Sequence, residues 1–161
     1  MMRPEVERAI REYLGGLLRI LGESPGVEVT LEEEGGAILV DLRGFETFSG
    51  QDRELLRALG YLLELSLKRQ LRLRESLRVH LDVNGYRRQR REELRRMALK
   101  LAEEVKRERK RIRLNPMEPW ERKAIHEALS EFSGVRTYSE GRGPERRVII
   151  EPTLSLSREQ G

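Results

Sequence analysis

Residues 114–126 read LNPMEPWERKAIH, and this stretch predicts how the second half of the chain folds. Pro119 suits the first turn of a helix, because residues there need no amide hydrogen for the helical ladder. Apolar residues then follow at helical spacing, which predicts a helix over residues 118–132. On that helix Arg122 and His126 lie four residues apart and leave the same face.

The segments on either side of this helix predict a small mixed module. A narrow apolar stripe among many arginines predicts a long basic helix before it, and short β-type runs flank the turn-rich segment 141–144. The helix is expected over residues 86–110, and the strands over 112–114, 135–138 and 147–150. Helices packed with these strands would make this half a small α+β domain.

The first half of the chain carries a second pattern of the same class. Helical periodicity covers residues 4–22 and 54–71, and alternation or apolar runs mark strands at 27–31, 37–42 and 77–83. Residues 44–53 are expected to be irregular or a short helical turn. The predicted order is helix, strand, strand, short helix, helix, strand, which makes an α+β domain of about 85 residues.

Composition excludes several classes of protein. The chain has no cysteine, so disulfide frameworks, thiol catalysis and cysteine-based zinc sites are excluded. No apolar run approaches the length of a membrane span, and the N-terminal residues lack the apolar core of a signal peptide. We therefore expect a cytoplasmic protein.

Positive charge is concentrated in one central segment. Residues 87–113 hold 13 basic and 5 acidic side chains, a net charge of +8, whereas the whole chain has a net charge of +4. A basic segment in an otherwise balanced chain favours a polyanionic partner, most often nucleic acid. The alternative is a solvated helix with excess arginine.

Several motifs in this order resemble one bacterial family. The matching stretches are Asp82-Val83-Asn84-Gly85-Tyr86-Arg87, Leu114-Asn115-Pro116-Met117, Glu121-Arg122, Ile125-His126, Thr137-Tyr138-Ser139-Glu140-Gly141 and Gly143 to Ile150. They resemble the Jag family, also called KhpB or SpoIIIJ-associated, which joins a KH domain to an R3H domain. Residues 27–81 match the KH pattern in element order, so the resemblance covers about 85% of the chain.

The resemblance implies a domain plan and a biological role. Residues 1–84 would be a KH-like domain, residues 85–152 an R3H domain that includes the basic helix, and residues 153–161 a flexible tail. The family implies a single-stranded RNA-binding regulator linked to cell elongation or envelope biogenesis, with single-stranded DNA as an alternative ligand. It also suggests a second small KH-domain protein as a partner and leaves a homodimer open.

The KH-like domain departs from the family pattern at its binding loop. KH domains grip the nucleic-acid backbone with a Gly-x-x-Gly loop. The aligned positions here are Gly50, Gln51, Asp52 and Arg53. Because Arg53 adds a side chain where bare amides approach phosphate, and Asp52 repels phosphate, we expect a lost or weakened grip. The alternative is that Arg53 compensates by contacting phosphate itself.

The resemblance makes Arg122 and His126 the best site candidates. Arg122 would clamp a phosphate or stack on a base, and His126 would hydrogen-bond phosphate or sugar. The alternative is that His126 only packs against the sheet and Arg122 pairs with Glu118 or Glu121. The context favours the binding role.

Other cations are expected to extend this interface. Those on the basic helix could follow a phosphate backbone, and those near the R3H helix and hairpin would add charge. They are Arg87, Arg88, Arg91 and Arg95 on the helix, and Lys123, Arg142, Arg146 and Arg147 near the pair. The alternative for the helix is a solvated surface with ion pairs such as Glu92–Arg96.

These observations predict a binding protein and not an enzyme. No carboxylate cluster accompanies His126 in sequence, and two histidines cannot supply a histidine-rich metal site, so neither a metal nor a cofactor is expected. The rival hypothesis is a protein-interaction module, in which the degenerate KH domain docks or dimerises and nucleic-acid binding is secondary.

Overall fold

The computed structural model describes residues 3–23, 28–73 and 77–154. Most of the tail expected at 153–161 lies outside the described residues, as does the first residue of the strand expected at 27–31. The chain divides into two compact units, residues 1–87 and residues 88–161. Each unit is described by itself.

Within the residues that the structure describes, the first unit holds two helices and one three-stranded sheet. Its elements are α1 (Pro4–Ile20), β1 (Glu28–Glu34), β2 (Ala37–Arg43), α2 (Arg53–Gln70) and β3 (Arg78–Val83). β1 pairs antiparallel with β2 through a tight turn at Gly35 and Gly36, both of which have positive φ. β3 pairs parallel with β2, so the chain crosses over through α2 to reach it.

The core of the first unit follows from helical spacing. Ile10 and Leu14 of α1 are one turn apart and fully buried, and Leu63 and Leu67 of α2 repeat this arrangement. Apolar residues of the sheet complete the cluster, among them Val40. The helices therefore bury one stripe each and leave their polar faces exposed.

Residues 44–52 are all described and form turns and bends, so the short helix in the predicted order is absent at these positions. The side chain of Asn84 fixes the start of the segment: its Oδ1 accepts from the Gly44 amide at 2.7 Å, and its Nδ2 donates to the Phe45 carbonyl at 2.9 Å. Because these backbone groups are bound to a distant side chain, they are not available for a helical ladder.

The second unit confirms the expected α+β class. Helix α3 (Tyr86–Glu108) crosses the division between the units, and the elements after it are β4 (Ile112–Arg113), α4 (Pro119–Leu129), β5 (Val135–Glu140) and β6 (Arg147–Pro152). The strands form one antiparallel sheet in the order β4-β6-β5. No helix within the described ranges is long and apolar enough to cross a lipid bilayer.

The narrow apolar stripe of α3 packs into the core of the second unit. Leu94, Ala98, Ala102 and Val105 are almost fully buried at helical spacing, in one cluster with Ile125 of α4. The small alanines allow close packing, and charged side chains of both signs occupy most of the remaining helix surface. The expected bounds of α3 and α4 were longer by up to three residues at their C-terminal ends.

Candidate nucleic-acid interface

The start of α4 is fixed by a reciprocal capping arrangement. The Glu118 side chain accepts from the backbone of Glu121, and Oε2 of Glu121 accepts from the Glu118 amide at 2.9 Å. Glu121 is 0% exposed, and its Oε1 also accepts from Nε of Arg90 at 3.1 Å. The backbone amides of Glu118 and Glu121, at the N-terminal end of the helix, thus both have hydrogen-bond partners. This arrangement fixes the start of α4 and therefore the position of the next residue, Arg122.

Arg122 is half-buried and directs its side chain to a carbonyl group. Its Nε donates to the Met117 carbonyl at 3.4 Å. Within the described residues it forms no ion pair with Glu118 or Glu121, because Glu121 is bound to Arg90 instead. The guanidinium therefore has no carboxylate counter-ion in this part of the chain and can accept an anion.

His126 is held between two hydroxyl groups of β5. Its Nδ1 lies 2.7 Å from Oγ1 of Thr137, and its Nε2 lies 3.0 Å from Oγ of Ser139. The ring is half-buried against the sheet, as the alternative interpretation expected, and it stays within reach of solvent. Sequence reasoning did not select Thr137 or Ser139 as site residues, although their alternate positions on a strand place them on one face.

The connection between β5 and β6 brings a second arginine to this place. Nη1 of Arg146 donates to the Gly141 carbonyl at 2.8 Å. Gly141 has φ +91°, and a Cβ there would lie 2.9 Å from the Glu145 carbonyl oxygen. Glycine is therefore required for the turn itself. Arg142 is exposed and has no ion pair within the described residues.

The charges of Arg122 and Arg146 both act on the His126 ring. Burial lowers the pKa of His126 below its ordinary value, and the positive charges of Arg122 and Arg146 lower it further. The imidazole is therefore neutral near pH 7 in the free protein. Arg122 and Arg146 are two positive charges without carboxylate partners in the described residues, and together they favour the binding of an anionic ligand.

Most of the other predicted cations are engaged elsewhere. Arg91 lies over the Trp120 ring at 6.0 Å from its centroid, in cation–π geometry. Ion pairs join Lys123 to Glu127 at 3.6 Å, Arg147 to Glu145 at 3.6 Å and Arg95 to Glu92 at 3.7 Å. Arg88 is exposed, and Arg87 belongs to the first unit, where its amide donates to Asp82. Of the predicted set, the structure thus brings together Arg122, His126 and Arg146.

Residues 50–53, which the sequence predicts to be a degenerate KH loop, form hydrogen bonds among themselves and with Ser49. The Ser49 amide donates to Oδ2 of Asp52 at 2.7 Å, the Gln51 amide to Oγ of Ser49 at 3.1 Å, and the Arg53 amide to the Gln51 carbonyl at 2.8 Å. Gly50 is required by packing, because a Cβ there would lie 2.3 Å from Cβ of Tyr86. The amides of Gln51 and Arg53 are thus engaged by local hydrogen bonds.

Comparison with known proteins identifies the second unit. The model of the R3H domain matches residues 92–152. This range contains α4, β5 and β6, and therefore the whole Arg122–His126–Arg146 cluster.

Relatives that match most of this chain carry one name. The chain is 33% identical to the RNA-binding protein KhpB of Clostridium symbiosum over 92% of this chain and 65% of the relative. It is 34% identical to the RNA-binding protein KhpB of Bacillus subtilis (strain 168) over 76% of this chain and 60% of the relative. The chain thus spans less than two thirds of the length of these relatives.

Proposed function

The chain belongs to the Jag/KhpB family, and on this premise we propose that it binds single-stranded RNA through its R3H domain. The relatives are named RNA-binding proteins, which supports this ligand class. Binding would make the protein an RNA-level regulator, linked by the family resemblance to cell elongation or envelope biogenesis. It would act without catalysis, in the cytoplasm.

The observation that supports this function best is the cation cluster around His126. Arg122 and Arg146 both act on the ring, and neither has a carboxylate partner within the described residues. Two guanidinium groups can hold a phosphate by charge-assisted hydrogen bonds. Both ring nitrogens of His126 contact the hydroxyls of Thr137 and Ser139, so His126 adds a positive charge beside the phosphate once it is protonated. Arg142 would extend the contact to a neighbouring phosphate.

The helix arginines contribute less in this mechanism. Exposed cations such as Arg88 can attract the strand at long range, since phosphate neutralisation dominates non-specific affinity. Arg91 lies over the Trp120 ring, and Lys123, Arg95 and Arg147 would have to leave their carboxylate partners to bind phosphate. Backbone contact of this kind supports affinity more than sequence readout.

The first unit would be a KH-like domain, over residues 1–84, whose loop grips nucleic acid weakly. Internal bonding of the Ser49 and Gln51 amides and the carboxylate of Asp52 support this weakening. Residues 85–152 would then form the R3H domain that binds the strand.

A binding assay on paired variants tests the proposal. We expect the double variant Arg122→Ala/His126→Ala to bind a fluorescent single-stranded RNA about tenfold more weakly, since the Arg122 contact with phosphate and the contribution of the His126 ring are both lost. Fluorescence anisotropy at low salt measures the dissociation constant. The control is Arg96→Ala, which removes one exposed, ion-paired cation of α3. Equal affinity of the double variant and the wild-type protein would refute the site.

Exposed leucines on α2 favour a second candidate function. Tyr61 is 59% exposed and Leu62 is 51% exposed, and Leu55 and Leu65 are also exposed on this helix. Apolar residues spaced one turn apart on an open helix face are typical of a protein-binding surface. The first unit would then dock a second small KH-domain protein or a second copy of this chain.

The second candidate is tested by the oligomeric state. We expect Leu62→Lys to shift any concentration-dependent dimer to the monomer in light scattering after size exclusion, because it buries a charge in the contact. Arg57→Lys on the same helix is the matched control. A wild-type protein that stays monomeric would rule out docking of a second copy of this chain. If it also binds no oligonucleotide at low salt, docking of a different small KH-domain protein is the function that remains.

A further inference from the structure

Two hydroxyl groups lie beside the cation cluster and are not explained by phosphate binding. Thr137 and Ser139 occupy alternate positions of β5, which is an edge strand of its sheet. Both residues are half-buried, and each hydroxyl contacts one ring nitrogen of His126, at 2.7 Å and 3.0 Å. Both hydroxyls thus contact the His126 ring, whose pKa is lowered by burial and by the charges of Arg122 and Arg146.

The neutral imidazole gives these two hydroxyls opposite roles. It has one N–H group and one bare nitrogen. The hydroxyl that donates its proton to the bare nitrogen has only lone pairs left for a ligand. The hydroxyl that accepts from the N–H group keeps its proton and can donate it outward. Either tautomer of His126 therefore gives one outward acceptor and one outward donor.

A phosphate can use only part of this arrangement. Its oxygens accept hydrogen bonds, so they suit the two guanidinium groups and the donating hydroxyl. The accepting hydroxyl needs a donor on the ligand. Along the backbone of a single strand the ribose 2′-hydroxyl is such a donor, and the deoxyribose backbone has none.

We propose that Thr137 and Ser139, polarised by His126, contact a ribose 2′-hydroxyl beside the phosphate held by Arg122 and Arg146, and thereby select RNA over DNA. The inference rests on the proposed function and adds a specificity to it. The acceptor hydroxyl forms a hydrogen bond with RNA and is left unsatisfied by DNA, which lowers the affinity for DNA.

Three oligonucleotides of one sequence test the selection at pH 7.5. They are RNA, the DNA equivalent with uracil bases, and fully 2′-O-methylated RNA, which keeps the 2′-oxygen but loses its proton. We expect the RNA to bind about fivefold more tightly than either of the others, as one hydrogen bond contributes. The methylated strand lacks the donor but adds a methyl group, whereas DNA lacks the donor and adds no bulk. Equal dissociation constants for these two strands would therefore assign the weaker binding to the lost donor and not to a steric clash.

Variants assign the selection to the two hydroxyls. Thr137→Val/Ser139→Ala should bring the three dissociation constants within about twofold of one another, whereas Thr137→Ser keeps a hydroxyl and should retain the preference. Thermal unfolding checks that each variant is folded. If the double variant is unfolded, the single variants Thr137→Val and Ser139→Ala are compared, and at least one of them should lose the preference.

The outcomes distinguish this inference from the proposed function. Equal binding of RNA and DNA, both weakened by Arg122→Ala, would overturn the selection and leave the phosphate site intact. A preference that survives loss of both hydroxyls would overturn their assignment. If no oligonucleotide responds to Arg122→Ala, the proposed site itself fails.

Discussion

His126 connects the charge of the site to its hydrogen-bonding pattern. Burial and the nearby Arg122 and Arg146 keep the ring neutral near pH 7 by lowering its pKa. A bound phosphate would act in the opposite direction, since a negative charge favours the protonated ring. Protonation would also make both ring nitrogens donors, so both Thr137 and Ser139 could then donate outward.

This coupling predicts a pH-dependent affinity. Because His126 has a higher pKa in the complex than in the free protein, binding takes up a proton. The affinity therefore rises as the pH falls from above the pKa of His126 in the complex to its pKa in the free protein. We expect dissociation constants for single-stranded RNA to decrease from pH 7.5 to pH 5.5. Isothermal titration in two buffers of different ionisation enthalpy measures the proton uptake. His126→Gln should remove both effects, and a persistent pH dependence in that variant would assign it to another group.

At the scale of elements, the position of α4 depends on a buried carboxylate. Glu121 closes the capping box with Glu118 and also binds Arg90 of α3. The helix that displays Arg122 and His126 is therefore tied to α3 through one side chain. An exposed ion pair on the same helix, such as Lys123–Glu127, contributes little because water screens it.

Removing the Glu121 carboxylate should destabilise the second unit. We expect Glu121→Ala to lower its free energy of unfolding by about 2–4 kcal/mol, because two hydrogen bonds of a buried group and its packing are lost. Thermal unfolding measured by circular dichroism checks this value. Glu127→Ala on the same helix should change the stability by less than about 0.5 kcal/mol. Comparable losses in the two variants would contradict the structural role of Glu121.

At the scale of the whole molecule, charge is distributed unevenly. The net charge of the chain is +4, and the segment 87–113 alone carries 13 basic and 5 acidic residues, or +8. Ion pairs within α3 neutralise some of this charge, including those that Glu92 forms with Arg95 and Arg96. The affinity for a polyanion should therefore depend on a few cations without carboxylate partners more than on net charge.

Salt dependence measures how many cations contact the strand. We expect the logarithm of the association constant to fall linearly with the logarithm of salt concentration, with a slope of about −2 if Arg122, Arg142 and Arg146 each neutralise one phosphate. Arg122→Ala/Arg146→Ala should reduce the magnitude of this slope by about 1.4. Arg96→Ala should leave it unchanged. A wild-type slope near zero would contradict electrostatic binding.

Local pattern was sufficient for the elements and for one part of the site. Apolar spacing and turn residues predicted every α-helix and strand that the structure describes, with errors at the ends, because secondary structure is set largely by local periodicity. The 3-10 helix at Gly143–Glu145 was predicted only as a turn. The i, i+4 spacing likewise placed Arg122 and His126 on one helix face. The chain's motifs also indicated the R3H domain that the family model matches.

Long-range contacts decided the remainder. Glu121 binds Arg90, which lies 31 residues away, and His126 binds Thr137 and Ser139, which lie 11 and 13 residues away. Asn84 holds a loop 39 and 40 residues before it in a non-helical form. Periodicity contains no information on such partners, because they meet only when strands and helices pack. The sequence by itself thus determined the elements and the paired arginine and histidine, and only the tertiary structure decided which groups surround them.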